Sequence, residues 1–303
     1  MKSGFIGIVG RPNVGKSTLL NSMLGEKIAI ATAKPQTTRN TIRGIYTREP
    51  GTDGPEDSGA QLILIDTPGI HKGHNKLGEA MTEMALRTLK EVDLVLFLVE
   101  GSMEEGRGDR RILELLKQIP TSKILVINKI DKMSPEMYLK IYKEYEDTGV
   151  FADIYGTSAL EGKNVSDLRR RIEEFMPEGP MYFPEDMITD YPERFLVSEV
   201  IREKALLYLN EEVPHGIAVE VESFKEDNRL IRIGAVIYCE KKSHKGIIIG
   251  KGGRKLKGIG KAAREELTDL LGKKIYLELW VKVREGWRES NSALEDFGYL
   301  IKD

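Results

Sequence analysis

Residues 10–17 read GRPNVGKS, and no other stretch restricts the fold of this chain as tightly. The spelling fits G-x-x-x-x-G-K-[ST], with the apolar run FIGIVG (5–10) before it and a helix-forming run from Lys16 after it. Gly10 and Gly15 let the backbone curl so that its N–H groups face one point, and the start of a helix adds its positive end there. Such a cradle holds phosphate oxygens. Lys16 is placed to reach the β- and γ-phosphates of a nucleotide, and Ser17 to offer a hydroxyl to Mg2+. Asn13, Val14 and Thr18 complete the expected contacts of the loop. A strand, a glycine loop and a helix in this order predict an open α/β sheet, in which ligands bind at the C-terminal ends of the strands.

Three later motifs end predicted strands. DTPG (66–69) follows QLILID, so Asp66 can orient Mg2+ through a water and Gly69 can aim its N–H at a γ-phosphate. NKID (128–131) follows KILVIN, and Asp131 can accept two hydrogen bonds from the guanine N1–H and 2-amino group. Adenine offers no such pair and would leave the carboxylate unmatched. Asn128 can bond the base or tie loops together, and the Lys129 stem can pack on the base. Ser158, Ala159 and Leu160 follow the next strand, where the Ala159 N–H can meet guanine O6. Between the first loop and DTPG lies AKPQTTRN (33–40). Thr38 there is expected to close over Mg2+ when a γ-phosphate is present, with Thr37 the alternative, in an order–disorder switch. His71 and His74, in HKGH, read as a solvated loop, since no carboxylate or cysteine cluster supports a metal pair.

Strand-like and helix-like segments alternate to about residue 176, which predicts a three-layer α/β domain with a mostly parallel sheet. PGTDGPEDSGA (50–60) reads as a turn-rich, acidic hairpin tip. The stretch 176–193 holds four prolines in 18 residues and cannot continue a helix or a central strand. Beyond it the pattern is α-β-β-α-α-β, a smaller α+β domain. The expected division is a nucleotide-binding domain over 1–178, a linker over 179–193, the second domain over 194–285 and a tail over 286–303.

The second domain carries its own glycine loop, GIIIGKGG (246–253), which lacks both the glycine spacing and the hydroxyl of the first. Net charge is −2, yet Lys241–Arg264 holds nine Lys or Arg and no acid. A local basic footprint inside a neutral chain points to a polyanion. GKGG (250–253) fits the GXXG loop of a KH domain of the second topology, which clamps the backbone of single-stranded nucleotides. Gly250, Gly252 and Gly253 allow close approach of that backbone. Lys245, Lys251, Arg254, Lys255 and Lys257 supply charge, and Ile247, Ile248 and Ile249 are expected to line a groove for unstacked bases.

The motif set resembles the translation-factor-related class of P-loop GTPases, and its pairing with a KH domain resembles the bacterial Era family from the first strand to about Arg284. The resemblance implies GTP hydrolysis to GDP, with Mg2+, by a positioned water. It implies KH binding of single-stranded RNA near the 16S rRNA 3′ end, in assembly of the small (30S) ribosomal subunit. DNA is not an expected partner. Signalling GTPases place a glutamine after the DxxG glycine; Ile70 stands there, so slow intrinsic turnover is expected and the water-orienting group is unassigned. Lys16, Thr38 and Asn13 are then expected to stabilise the phosphates, with Asn13 resembling the asparagine of K+-activated members. One alternative is an RNA-binding signalling or cell-cycle switch without an assembly role, against which the intact Lys16, Ser17, Asp66 and Asp131 speak. An ATPase or kinase acting on RNA would need adenine recognition.

The apolar run LVLFLV (94–99) is far shorter than a bilayer span, and Cys239 has no partner for a disulfide. A cytoplasmic protein is expected. Family members are also found on the inner membrane face, which nothing in the residues predicts.

Overall fold

A computed structural model describes residues 1–300, apart from 33, 35, 53–56, 71–74, 101–106 and 211. The chain divides into two compact units. One comprises Met1–Ala31, Thr38–Lys72 and Met81–Asp190; the other comprises Thr32–Thr37, Gly73–Ala80 and Tyr191–Asp303.

In the first unit β1 (Lys2–Gly10), β2 (Ile42–Arg48), β3 (Ala60–Asp66), β4 (Leu94–Glu100), β5 (Ser122–Asn128) and β6 (Asp153–Thr157) form one sheet in the order β2-β3-β1-β4-β5-β6. β2 runs antiparallel to β3, and the remaining pairs are parallel. The strands are apolar on both faces, as buried parallel strands must be. Helices α1 (Lys16–Leu24), α2 (Lys76–Thr88), α3 (Arg107–Lys117), α4 (Pro135–Glu146) and α5 (Val165–Phe175) separate the strands. Ala85, Leu89, Ile112, Leu116, Ile141 and Tyr145 pack with Val9, Phe97, Leu125 and Ile127 on one face. On the other, α1 and α5 pack together. The register aligns Ile8 with Asp66, and Glu100 with Asn128 and Thr157 beyond it, so the strand ends share one edge.

The proline-rich stretch is a strap bonded to this unit. Ser3 donates its N–H to Pro177 O at 3.0 Å, and Ile45 to Ile188 O at 2.8 Å. The buried Gln61 side chain gives Nε2 to Phe183 O (2.9 Å) and accepts the N–H groups of Tyr182 (2.8 Å) and Phe183 (3.0 Å). Thr189 Oγ1 donates to Arg43 O at 2.7 Å, and Arg43 pairs with Asp190.

The second unit runs α6 (Glu193–Tyr208), β7 (Ile217–Glu226), β8 (Leu230–Cys239), α7 (Lys242–Ile249), α8 (Arg254–Leu271) and β9 (Lys274–Val283). β8 is the centre of its sheet, antiparallel to β7 and parallel to β9. Helices α6 and α8 pack on each other and on the sheet. The tail, which carries no recognisable pattern, is part of this core. Trp287 is fully buried and donates Nε1–H to Gly216 O at 2.9 Å, and its ring meets Phe297 and Tyr299. A short helix, α9 (Asn291–Asp296), follows, with Ser290 capping it by accepting the Ala293 N–H. Among the described residues no helix is long and apolar enough to cross a membrane.

Candidate functional site

The first glycine loop turns from β1 into α1 with Asn13 at φ 68° and Gly15 at φ 102°, the left-handed region. A Cβ on Gly15 would stand 2.2 Å from Asn128 Nδ2, so glycine here permits both the turn and the contact with NKID. The DTPG glycine, Gly69, lies against the same loop: a Cβ there would fall 2.7 Å from Pro12 N.

Lys16 is buried, and its ammonium donates to the carbonyl oxygens of Gly10 (3.3 Å) and Arg11 (3.0 Å). Burial lowers its pKa, with Asp66 opposing. Ser17 Oγ donates to Asp66 Oδ2 at 2.5 Å and meets Thr38 Oγ1 at 2.9 Å, and Thr38 Oγ1 lies 3.3 Å from Asp66 Oδ2. Burial pushes Asp66 up to about 6, against the pull of Lys16 and of the Ser17 and Thr38 hydroxyls. Asp66 Oδ1 is buried with no partner. Two hydroxyls converging on a carboxylate with an oxygen to spare form an all-oxygen donor set, the chemistry of a hard cation such as Mg2+. The Thr37 hydroxyl points elsewhere: it donates to Lys34 O at 2.6 Å and meets Thr32 Oγ1 at 2.7 Å.

Of the two roles open to Asn128, the structure shows the tie. Its Nδ2 donates to Val14 O (2.8 Å), and its Oδ1 accepts from Thr157 Oγ1 (3.2 Å) and from the Ala159 N–H (3.0 Å). The Ala159 amide expected to meet guanine O6 is thus engaged by Asn128 and must be shared or released. Lys129 takes φ 62°, donates to Asn13 O at 2.8 Å and pairs with Glu100. Asp131 is exposed, and a hydrogen bond from Ser158 foremost holds its carboxyl below the usual range. Ser158 and Ala159 are buried; Leu160 is exposed. Thr18 is half-buried on α1. Glu100 and Thr157 lie outside the motifs, and their place at the ends of strands is the signal that marks them. Ile70 is 2% exposed within the core cluster, so this position packs and cannot orient a water. His71 and His74 lie outside the described residues, as do Ala33 and Pro35 of the polar loop and residues 53–56 of the hairpin tip.

In the second unit Gly250, Gly252 and Gly253 all take positive φ (71°, 60° and 75°) between α7 and α8. Lys245, Lys251, Arg254 and Lys257 are exposed and Lys255 is half-buried. Beside the loop, α8 and β9 enclose an open groove of about 450 Å³. Leu256, Leu277 and Leu279 line it, with Lys257, Lys261 and Arg264 at its rim. The expectation for the isoleucine triplet needs correcting at Ile248 alone. Ile248 is fully buried in the core, because the three residues lie on α7, where successive side chains point about 100° apart. Ile247 is exposed and Ile249 half-buried. The apolar floor next to the loop comes instead from Leu256, Leu277 and Leu279, which a search around the glycines alone could not reach.

Comparison with known proteins follows this division. Residues 5–129 match the model of the 50S ribosome-binding GTPases, and residues 212–288 match that of the KH domain. GTPase Era of Alkaliphilus oremlandii is 57% identical over 300 residues, spanning 98% of this chain and 99% of that protein. GTPase Era of Clostridioides difficile is 54% identical over 304 residues, spanning 99% of each. Among solved structures, Era in complex with MgGDPNP and nucleotides 1506–1542 of 16S ribosomal RNA superposes with a TM-score of 0.91 at 41% identity, covering 99% of this chain and 100% of that one. A variant of Aquifex aeolicus Era bound to GDP·AlF4− gives 0.90 at 41% identity, with the same coverage. With a P-loop unit, a KH unit and full-length identity above half, this chain belongs to the family of Era GTPases.

Proposed function

We propose that this GTPase binds GTP and Mg2+ in its first unit and single-stranded RNA at the 3′ end of 16S rRNA in its second, acting in assembly of the 30S subunit. The carrying observation is the α8–β9 groove: an apolar floor, a basic rim and the GKGG turn at its mouth. Unstacked bases suit the floor and phosphates the rim. The relative holding MgGDPNP and 16S rRNA nucleotides supports the same reading.

In the first unit Asp131 selects guanine and Lys16 meets the β- and γ-phosphates. Ser17, Thr38 and, through water, Asp66 hold the metal, which supplies charge neutralisation to the phosphate oxygens. Thr38 joins the set when the γ-phosphate is present, and Gly69 offers its N–H to that phosphate. Asn13, whose carbonyl is fixed by Lys129, stands where K+ would assist; equal turnover in K+ and Na+ buffers removes that role. In this reading the GTP-binding domain covers 1–178 and the RNA-binding domain 194–285, with the stretch to Asp190 folded on the first and the tail on the second. The place of action is the cytoplasm, and no step requires a membrane.

The test is affinity for a 16S rRNA 3′-end oligonucleotide with a non-hydrolysable GTP analogue, with GDP and with no nucleotide. Tighter binding with the analogue makes the protein a timed assembly factor, and linkage requires the RNA to tighten analogue binding by the same factor. Absence of binding in all three states removes the RNA assignment.

A further inference from the structure

The first glycine loop is held from outside by α3. Asp109, in the first turn of that helix, is 2% exposed, and its Oδ2 pairs with Arg11 Nε at 2.9 Å. Burial raises the Asp109 pKa, and Arg11 is the first group to oppose it. The stem of Arg11 lies against Gly108, where a Cβ would fall 2.6 Å from Arg11 Cδ. The helix dipole alone favours an acid in a first turn, yet it does not require that the acid be buried. A buried carboxylate needs a cation beside it, and here the cation comes from the phosphate loop. All of these residues belong to the first unit.

Arg11 reaches Lys16 through its backbone. An ammonium carries three N–H donors. Lys16 gives one to Gly10 O at 3.3 Å and one to Arg11 O at 3.0 Å, so the direction of the third follows from where those oxygens stand. The Arg11 C=O and Pro12 N share one planar peptide, and the proline ring fixes the next dihedral. The oxygen therefore cannot turn unless the loop turns with it. Its remaining freedom is the placing of Arg11 itself, which Asp109 and Gly108 restrict. We propose that Asp109 is a positioning residue for phosphate binding: it holds Arg11 so that the Arg11 carbonyl aims the third N–H of Lys16 at the β-phosphate. This rests on the reading of Lys16 as the lysine that meets the β- and γ-phosphates. It predicts that Asp109 matters for nucleotides with a β-phosphate and not for GMP, which ends at the α-phosphate. The choice of base is untouched.

The test uses the full chain and removes the carboxylate rather than the guanidinium. Arg11 is 27% exposed and can turn to water, whereas Asp109 left alone would be a buried unpaired charge. Affinities for GDP, a non-hydrolysable GTP analogue, GMP and xanthosine diphosphate are read by displacement of a fluorescent GDP, with circular dichroism checking that each variant is folded at the assay temperature. Asp109→Leu is expected to weaken GDP and the analogue about tenfold, the size of one lost hydrogen bond to a charged group, and to leave GMP within about twofold. The preference for GDP over xanthosine diphosphate stays as in the parent. Asp109→Asn, which keeps the shape and an acceptor, is expected to lose about threefold. A purely structural pair would lower the unfolding temperature and shift all the nucleotides together or none. An unchanged GDP-to-GMP ratio in folded Asp109→Leu therefore overturns the proposal. If that variant fails to fold, an unchanged ratio in Asp109→Asn does the same. Lys16→Met separates the two readings. If it lowers the GDP-to-GMP ratio while the Asp109 variants do not, only the positioning role fails. If it leaves the ratio unchanged, the phosphate role of Lys16 fails and the positioning role with it. In the Lys16→Met background Asp109→Leu is expected to lower the ratio no further, and an additive loss overturns the proposal.

Discussion

In the proposed site the choice of base would rest on one exposed carboxylate, Asp131, steadied by Ser158. Asp131→Asn is expected to lower GTP affinity roughly 10- to 100-fold and to raise preference for xanthine nucleotides, read in a competition titration. Ile70 makes the opposite point. Because it is buried among Val9, Ala85 and Phe97, Ile70→Gln is not expected to supply a water-orienting amide. It should leave turnover no higher and lower unfolding stability by about 2 kcal/mol, since the amide enters an apolar cluster. Much of this site was legible residue by residue. Lys16, Ser17, Asp66 and Asp131 stand out by motif spacing, the first two opening α1 after the glycine loop and the others at or just past the end of a strand. The roles of Asn128 were not legible. An asparagine offers both donor and acceptor, and only the approach of Val14, Thr157 and Ala159 decides where they go.

Element by element, the alternation of strands and helices in the first unit could be read directly, since buried parallel strands are short continuous apolar runs. Helix α8 is less transparent. RKLKGIGKAAR contains two glycines, each costing helix stability of about 1 kcal/mol relative to alanine. Space explains the first, while a Cβ at the second would stand at ordinary contact distance. A Cβ on Gly258 would meet the Tyr208 ring at 2.6 Å, and one on Gly260 would meet Leu279 at 3.4 Å, on the groove side. Gly260→Leu is therefore expected to fill the groove. RNA affinity should fall about tenfold or more while the circular dichroism of the helices is kept, the loss of one stacked base accounting for that size. Lys251→Glu with Lys255→Glu should act differently. Removing two phosphate contacts flattens the dependence of log K on log salt by about 1.4, at roughly 0.7 per contact on a single strand. A variant pair with the parent slope would show that these lysines do not touch the RNA backbone.

At the scale of the whole molecule, the order of a P-loop unit before a KH unit was plain in the sequence, and the two pieces that finish each unit were not. The tail buries Trp287, which donates to the Gly216 carbonyl and packs against Phe297 and Tyr299. Trp287→Ala is expected to destabilise the second unit by about 3–5 kcal/mol, measured as an earlier unfolding transition. Neither piece shows a period, because a single anchoring ring or a run of prolines is recognised only by what it lies against. The strap is the clearer case: Gln61 reaches residues 121 and 122 positions away.

β2 stands at the outer edge of its sheet, and without the strap its backbone would offer free amides to any extended chain nearby. A recombinant fragment cut at the first proline should therefore come out of the cell sticky, forming oligomers by strand-to-strand pairing. A fragment carried through Asp190 should stay dispersed. What looks in the sequence like a hinge between two working parts is, for the first of them, a hem that keeps the cloth from fraying.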